Sequence, residues 1–331
     1  MGALVVGGGI AGAACAAALS DAGVPAALRE RGHRLGGRMA SRTLRDTGTS
    51  FDGRVVDIGA SYFTAGDPDF VTLVEALAAR GIVRPWADGF HVAGPTGIEG
   101  VSGGAMRFAA PGGLRSVVEA MVGGIGGLDV ATDALVGRVS LTPDGLIVDE
   151  APVDAVAMCM PGPQARRVCE AMPDDPIPWE PVIAVTCVFD RRHWIELDGV
   201  FVNDDPVITW IADDGSRRGD DAPVLVAHVH PVLSARHLDD PGSVIPAAVA
   251  AVQRVLGIAP YPEWVDVHRW SFAKPLAAAE AGHWLHDEVD LGLAGDAWSG
   301  GPRVEAAWLS GRSLGRALAG RLVASGHGAN R

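Results

Sequence analysis

The 331-residue chain carries 27 basic against 40 acidic side chains, a net charge of −13, with 48% hydrophobic and 20% charged residues. Those proportions describe a globular chain long enough for two packed domains, and the acidic balance excludes nucleic acid or an anionic membrane surface as its natural partner. Nearly all the positive charge is arginine, Lys274 being the only lysine, and with abundant alanine and glycine this bias fits a GC-rich bacterial genome.

Taken in chain order, residues 3–6 form a short apolar strand, Gly7 to Gly12 a tight turn, and residues 10–22 a helix of small side chains. Gly23-Val24-Pro25 breaks that helix and residues 26–29 return as a second parallel strand, completing a β-α-β unit. A charged, glycine-containing loop follows at 31–38, then the stretch VVDIGASYFTA at 55–65. Residues 69–80 have helical spacing and end at Gly81. The pattern from 85 to 106 is short strands with Gly and Pro turns; 111–122 enters another helix; 128–148 gives two or three strands around Pro143-Asp144-Gly145. A strand at 155–160 ends at Pro161-Gly162-Pro163 with a short helix behind it. The proline-rich stretch 173–181 marks a crossing into a second domain, with strands at 182–189, 199–202, 207–211 and 223–230, a helix at 243–256 and a strand at 265–270. The chain closes with LGLAGDAWSGGPRVEAAWLSG at 291–311, another strand ending in Gly295-Asp296 and a final helix.

The four cysteines, Cys15, Cys159, Cys169 and Cys187, form no CxxC pair and no metal-type spacing. They read as reduced core thiols in a cytoplasmic protein with no metal site. The apolar segment GIAGAACAAALS lacks the basic flank of a signal peptide, and its glycines match a nucleotide loop better. No apolar run is long enough to suggest a membrane span.

Gly7-Gly8-Gly9-Ile10-Ala11-Gly12 satisfies GxGxxG, in which glycines let backbone amides approach a pyrophosphate resting at a helix N-terminus. Glu30 ends the second strand, where a carboxylate accepts ribose hydroxyls; its bland alternative is a solvated strand end. A third element separates FAD from NAD. Glu30-Arg31 leads through Gly36-Gly37-Arg38-Met39, where two glycines pass close to phosphates and Arg38 pairs with them through its planar fork. Together with Gly295-Asp296 these elements resemble a known FAD superfamily, and the resemblance implies ribityl or phosphate-side contacts for Asp296 and, for the amides opening the last helix at Arg303, Val304 and Ala306, negative charge on the flavin pyrimidine edge.

Glu-Arg-x5-Gly-Gly-Arg after a dinucleotide unit resembles the glutathione-reductase-type FAD superfamily that contains amine oxidases. Within it, GGRMAS (36–41), DIGASYFTA (57–65), HRW and KP between 268 and 275, and RVEAAWLSG (303–311) resemble bacterial renalase-like proteins. The resemblance implies noncovalent FAD, with Gly59, Ala60, Ser61 and Tyr62 beside the isoalloxazine and Val136 among the cofactor contacts. It implies oxidation of misreduced isomers of NAD(P)H by hydride transfer to flavin N5, with O2 as acceptor giving H2O2. Two departures stand out: the loop from Asp296 to Arg303 is a residue longer, and 212–221 is more acidic. A flavin amine oxidase or a desaturase is the enzymatic alternative, although two tyrosines, Tyr62 and Tyr261, make a Tyr–Tyr cage hard to build; Trp210, Trp270, Trp298 and Trp308 are possible substitutes. The alternative from another class is a non-catalytic carrier on the same scaffold. His228 and His230 alternate on one strand; His228 is either a substrate contact or a hydrogen-bonded structural histidine, and no residue is singled out as catalytic.

The expected fold is α/β: a Rossmann-like three-layer FAD-binding domain, discontinuous over 1–70, 107–170 and 284–331, with an inserted α+β substrate domain on a mixed sheet over 71–106 and 171–283.

Overall fold

The structure, a computed structural model, describes residues 2–174 and 177–326. The chain divides into two compact units, one of Met1–Gly37, Val117–Pro178 and Pro275–Arg331, the other of Arg38–Ser116 and Trp179–Lys274.

The first unit is built on a six-stranded sheet in the order Trp284–Leu285, Leu291–Leu293, Ala155–Met158, Ala3–Val6, Ala26–Arg29, Asp129–Ala131. All pairings are parallel except the outermost, where Trp284–Leu285 runs against Leu291–Leu293. Side chains alternate across Ala3–Val6 as the strand period requires. Leu4 and Val6 join a cluster with Val136, Val139, Leu146, Val148 and Met158. Those partners include residues of a small antiparallel sheet, Val139–Thr142, Gly145–Val148 and Ala151–Val153, which covers that face. Val5 points the other way, toward the helix Ile10–Asp21 at Gly12. The result is three layers, as expected for this fold class.

Ile10–Asp21 has no apolar stripe because it is buried nearly all round, from Ile10 to Leu19 with the exception of Ala17. Its second neighbour is the chain's last helix, Val304–Ala324. A Cβ at Gly311 would overlap the Ala11 carbonyl, and one at Gly315 would lie 2.8 Å from the Ala18 Cβ, so the two helices meet backbone to backbone. Glycines four residues apart share one helix face, and only small residues oppose them: Ala11, Cys15 and Ala18. The helix ends at Gly23, in the left-handed conformation (φ 72°) with its N–H returned to the Ser20 carbonyl.

The second unit is a seven-stranded mixed sheet in the order Trp264–Pro275, Trp179–Val188, Val224–Val229, Ile208–Asp213, Gly199–Val202, Arg84–Gly94, Gly97–Ala109. The stretch expected as several short strands is one long hairpin, Arg84–Gly94 with Gly97–Ala109, its register adjusted by irregularities near Pro85, Ala87 and Val92. One sheet face is apolar. Ile183, Val185, Leu225, Ala227, Ile211 and Val200 pack there with Ala248, Val249, Val252 and Val255 of the helix Ile245–Leu256. Residues 38–70, read from sequence as part of the cofactor domain, lie by their contacts within this unit. The physical reason is Leu44, Val56 and Ile58, which are buried with Val188 and Val224 of its sheet. No helix among the described residues is long and apolar enough to cross a membrane.

Because Gly311 has no room for a side chain, Gly311→Val must separate the first and last helices. The expected cost is about 2–3 kcal/mol, within the range for overpacked cores. It is read as a lower urea midpoint, whereas Gly320→Ala, where an added Cβ meets nothing, leaves the midpoint within error or raises it.

Candidate functional site

The first unit gathers most of the sequence-predicted nucleotide residues. Gly7 has φ 114°, a conformation that needs glycine, and a Cβ at Gly12 would overlap the Gly7 carbonyl. A Cβ at Gly37 would lie 3.1 Å from the Gly9 Cα, so two glycine backbones face each other with nothing between them. Gly9 caps Ile10–Asp21 without a side-chain hydrogen bond, and no acidic residue sits in the first turn. The amides of Ile10, Ala11 and Gly12 therefore begin the helix with no side-chain cap and no acid in the first turn to take up the positive end of its dipole. Glycine backbone packed too closely for a Cβ and an uncapped helix start together fit a dinucleotide pyrophosphate.

Glu30 has a bracing role that its sequence position did not reveal. Its two carboxylate oxygens accept the Gly8 N–H at 2.8 Å and the Gly32 N–H at 2.7 Å, tying the glycine turn to the following loop. Each oxygen keeps a further lone pair for a ribose hydroxyl. Arg31 is exposed and Val136 is buried in the apolar cluster of the small sheet. At the other end of the chain, the Gly295 N–H donates to Ser310 Oγ at 3.0 Å, which fixes the strand end to the last helix. Asp296 is buried, Arg303 is the exposed N-cap with no side-chain cap bond, Val304 is half-buried, and Glu305 and Ala306 are buried behind it.

Arg38, Met39, residues 59–62 and His228 belong to the second unit. A Cβ on Gly59 would overlap the Arg38 carbonyl, which also accepts the Ala60 N–H at 2.8 Å, so glycine is required there. The Arg38 guanidinium donates to the Ala273 carbonyl at 3.2 Å and lies 5.5 Å over the Trp179 ring. Met39 is buried.

The segment 57–62 is held by charges that the motif reading missed. Arg217 is fully buried; its Nη2 bonds Asp214 Oδ1 at 2.6 Å and the Asp57 carbonyl at 3.3 Å, and its Nη1 donates to the Ser61 carbonyl at 3.2 Å. Arg218 pairs with Asp57 at 3.0 Å and Arg54 with Asp214 at 2.9 Å. Asp57 Oδ1 accepts from Ser41 Oγ at 2.6 Å and from the Leu114 N–H at 2.8 Å. Burial alone pushes the Asp214 carboxyl up, yet Arg218, Arg217 and Arg54 hold it at about 2. The acidity of 212–221 is thus answered largely inside the fold: Asp213 also pairs with Arg192 at 2.8 Å and accepts from the Trp194 indole at 2.7 Å. The sequence signal was the Asp-Asp-x-x-Arg-Arg spacing at 213–218, which places both signs one helical turn apart.

Opposite its apolar face, the second sheet carries a different row. Strand register puts Ala184, His228, Trp210 and Phe201 side by side. Tyr62 packs on this row with ring centroids 5.8 Å from Trp210 and 5.2 Å from Phe90, and Trp86 lies 5.1 Å from Phe90. His228 is hydrogen-bonded to the Gly59 backbone while its Nε2 is buried without a partner. Burial and nearby Arg217 push its pKa down to about 4, so it is neutral at pH 7. His230 is not on the strand with it. It lies beyond the strand Val224–Val229 and caps the helix Pro231–Arg236, its Nδ1 accepting the Val232 N–H at 3.2 Å. Of the tryptophans considered for an aromatic cage, only Trp210 is in this cluster. Trp270 donates to the Ile58 carbonyl at 2.7 Å, Trp298 belongs to the first unit, and Trp308 is stacked by Arg312 at 5.0 Å.

Comparison with known proteins agrees with this architecture. Residues 5–77 match the model of the NAD(P)-binding Rossmann-like domain, and residues 86–318 match that of the flavin containing amine oxidoreductases. A crystal structure from Exiguobacterium sp. 255-15 described as a candidate protoporphyrinogen oxidase superposes with TM-score 0.74 at 16% identity, covering 98% of each chain. Cyclohexylamine oxidase from Brevibacterium oxydans IH-35A gives 0.70 at 14% identity over 97% of this chain and 99% of that one. A putrescine oxidase variant gives 0.68 at 16% identity over 98% and 99%.

Arg217→Met removes one cation from a buried network and leaves Asp214 and Asp57 under-compensated, a change expected to cost about 3 kcal/mol. Equilibrium denaturation reads that loss; stability equal to the parent would show the network to be dispensable.

Proposed function

This chain belongs to the flavin containing amine oxidoreductase family, and on that premise we propose that its donors are misreduced isomers of NAD(P)H, oxidised in the manner of renalases. The protein is a FAD-dependent oxidoreductase. We assign the noncovalent hold on its cofactor to Gly7, Gly9, Ile10, Ala11 and Gly12 at the pyrophosphate, Glu30 at the ribose, Arg38 at the phosphates, and Gly295, Asp296 and the last helix's opening amides at the ribityl and pyrimidine end. Bound there, FAD supplies a two-electron acceptor that takes hydride from a donor and is reoxidised by O2 to give H2O2.

The observation that carries the donor assignment is the row on the second sheet. Half-buried Tyr62 packs on buried Phe90 and Trp210 in an aromatic cluster suited to a planar ring, and His228 beside them is neutral and offers hydrogen bonding without charge. Hydride loss from an electron-rich dihydropyridine needs orientation and no general base. The rings of this row suit the first, and the second asks nothing of His228. The resemblance carried by GGRMAS and DIGASYFTA points the same way.

An amine donor is the second reading, favoured by the family's own description and by an aromatic cluster that could orient a neutral amine. One experiment separates them. The purified yellow protein is mixed anaerobically, in a stopped-flow spectrometer, with borohydride-reduced NAD(P)+, with pure NAD(P)H, and with cyclohexylamine or putrescine. Rapid bleaching of the flavin band by the isomer mixture but not by pure NAD(P)H is the expected result. Bleaching by an amine alone would replace this donor with that one.

A further inference from the structure

The second unit holds a buried cation that no acid answers. Arg107, on the strand Gly97–Ala109, exposes 8% of its surface, and among the described residues no carboxylate pairs with it. Its guanidinium carbon lies 4.3 Å over the Phe90 ring and 5.8 Å over the Tyr62 ring. Its Nη1 is buried without a hydrogen-bond partner. In a chain with 40 acidic side chains for 27 basic ones, an unanswered buried arginine is not for want of acids. The other buried arginines nearby, Arg217 and Arg218, both have carboxylates at hydrogen-bonding or ion-pair distance.

Arg107 is also not alone in lacking a partner. Trp210 Nε1, His228 Nε2 and Ser61 Oγ are likewise buried and unpartnered. All four belong to one aromatic neighbourhood: Trp210 and His228 are register partners, Tyr62 follows Ser61 and touches Trp210, and Phe90 links Trp210 to Arg107. Buried polar atoms are ordinarily satisfied, and a group of exceptions in one place calls for a ligand that supplies the missing partners. Arginine and indole are donors only and the hydroxyl can donate, so the group complementary to these three is rich in acceptor oxygens, while His228 Nε2, whose neutral ring already donates to the Gly59 backbone, stands beside them as an acceptor. The unopposed positive charge makes that group anionic.

We infer that this aromatic face selects donors that carry an anionic oxygen group, a carboxylate or a phosphate, with Arg107 as the charge-selecting residue. The inference deepens the proposed function, since dihydronicotinamide dinucleotides are anionic, but it rests on this unit's own residues. A protonated amine meets an uncompensated cation here and is disfavoured. Aromatic rings around the guanidinium exclude water and so strengthen both the attraction and the repulsion.

Equilibrium binding of small aromatic probes tests this without turnover. Benzoate, phenyl phosphate and benzylamine are titrated into the FAD-loaded protein, followed by the flavin difference spectrum and by calorimetry. At least one anion is expected to bind on the order of tenfold or more tighter than benzylamine, and the better of the two identifies carboxylate or phosphate as the recognised group. Arg107→Gln should weaken that anion by a similar factor, and Arg107→Lys should restore most of the loss. Benzylamine binding wild type as tightly as either anion would overturn the inference, and this holds even if a variant fails to fold. So would a folded Arg107→Gln protein with undiminished anion affinity. Because dihydronicotinamides are absent from these titrations, failure of the renalase-like donor assignment leaves this result readable, and the reverse also holds.

Discussion

The first unit depends on one contact, the crossing of its first and last helices at Gly311 and Gly315. These glycines bring the backbone of Val304–Ala324 against Ala11, Cys15 and Ala18 of Ile10–Asp21. Close-packed interiors transmit small changes in volume, so a methyl group at this crossing would be felt at both helix starts. Those starts follow the strands Ala3–Val6 and Leu291–Leu293, which flank Ala155–Met158 in the same sheet. Two motifs nearly three hundred residues apart are thereby held in one layer, on strands either side of Ala155–Met158. The alanine and glycine content of these helices, whatever the genome contributes, is a steric requirement of this crossing.

The second unit solves a different problem, that of fixing an irregular segment. Residues 57–62 have few backbone partners of their own, and Arg217 reaches their carbonyls at Asp57 and Ser61 while Asp57 accepts from Ser41 and Leu114. Buried ions are a weak source of net stability, since apolar residues of the same shape can match them. Their value here is directional: each bond points a particular backbone group, and the carbonyls of Asp57 and Ser61 on either side of Gly59 are fixed as a consequence. The contrast with Arg107 gives the network its meaning. Where the fold needs a cation for structure it supplies acids in excess, and where it leaves one unanswered, the neighbours are aromatic rings and other unpartnered polar atoms.

Much of this was legible in the sequence because the signals were local. The β-α-β unit, its glycines and the break at Gly23 follow from backbone conformation that few residues can adopt, and the longer strands and helices from 155 onward follow from apolar periodicity bounded by Pro and Gly. Gly295-Asp296 and the helix after it were readable for the same reason. The short helices Asp214–Arg218 and Pro231–Arg236 and the strand Trp284–Leu285 are too brief to show a period. The long hairpin Arg84–Gly94 with Gly97–Ala109 was harder, since its glycines and register irregularities imitate the ends of several short strands. His230 was misplaced because strand alternation was carried one residue too far, into a helix cap. The pairing of Arg217 with Asp57 spans 160 residues, and the aromatic row joins side chains from Tyr62 to His228. Neither leaves a periodic trace, since both are made by sheet register and not by spacing. Even Glu30, whose position announced a nucleotide, concealed that its oxygens first brace Gly8 and Gly32.

The central claim is that both ends of the chain together form an occupied flavin site. It is tested most directly by the visible spectrum and acid-released flavin content of the purified protein. The account predicts a yellow protein releasing about one FAD per chain, as the extended dinucleotide cradle requires. A colourless protein that takes up no FAD on dialysis against an excess of it would contradict the account.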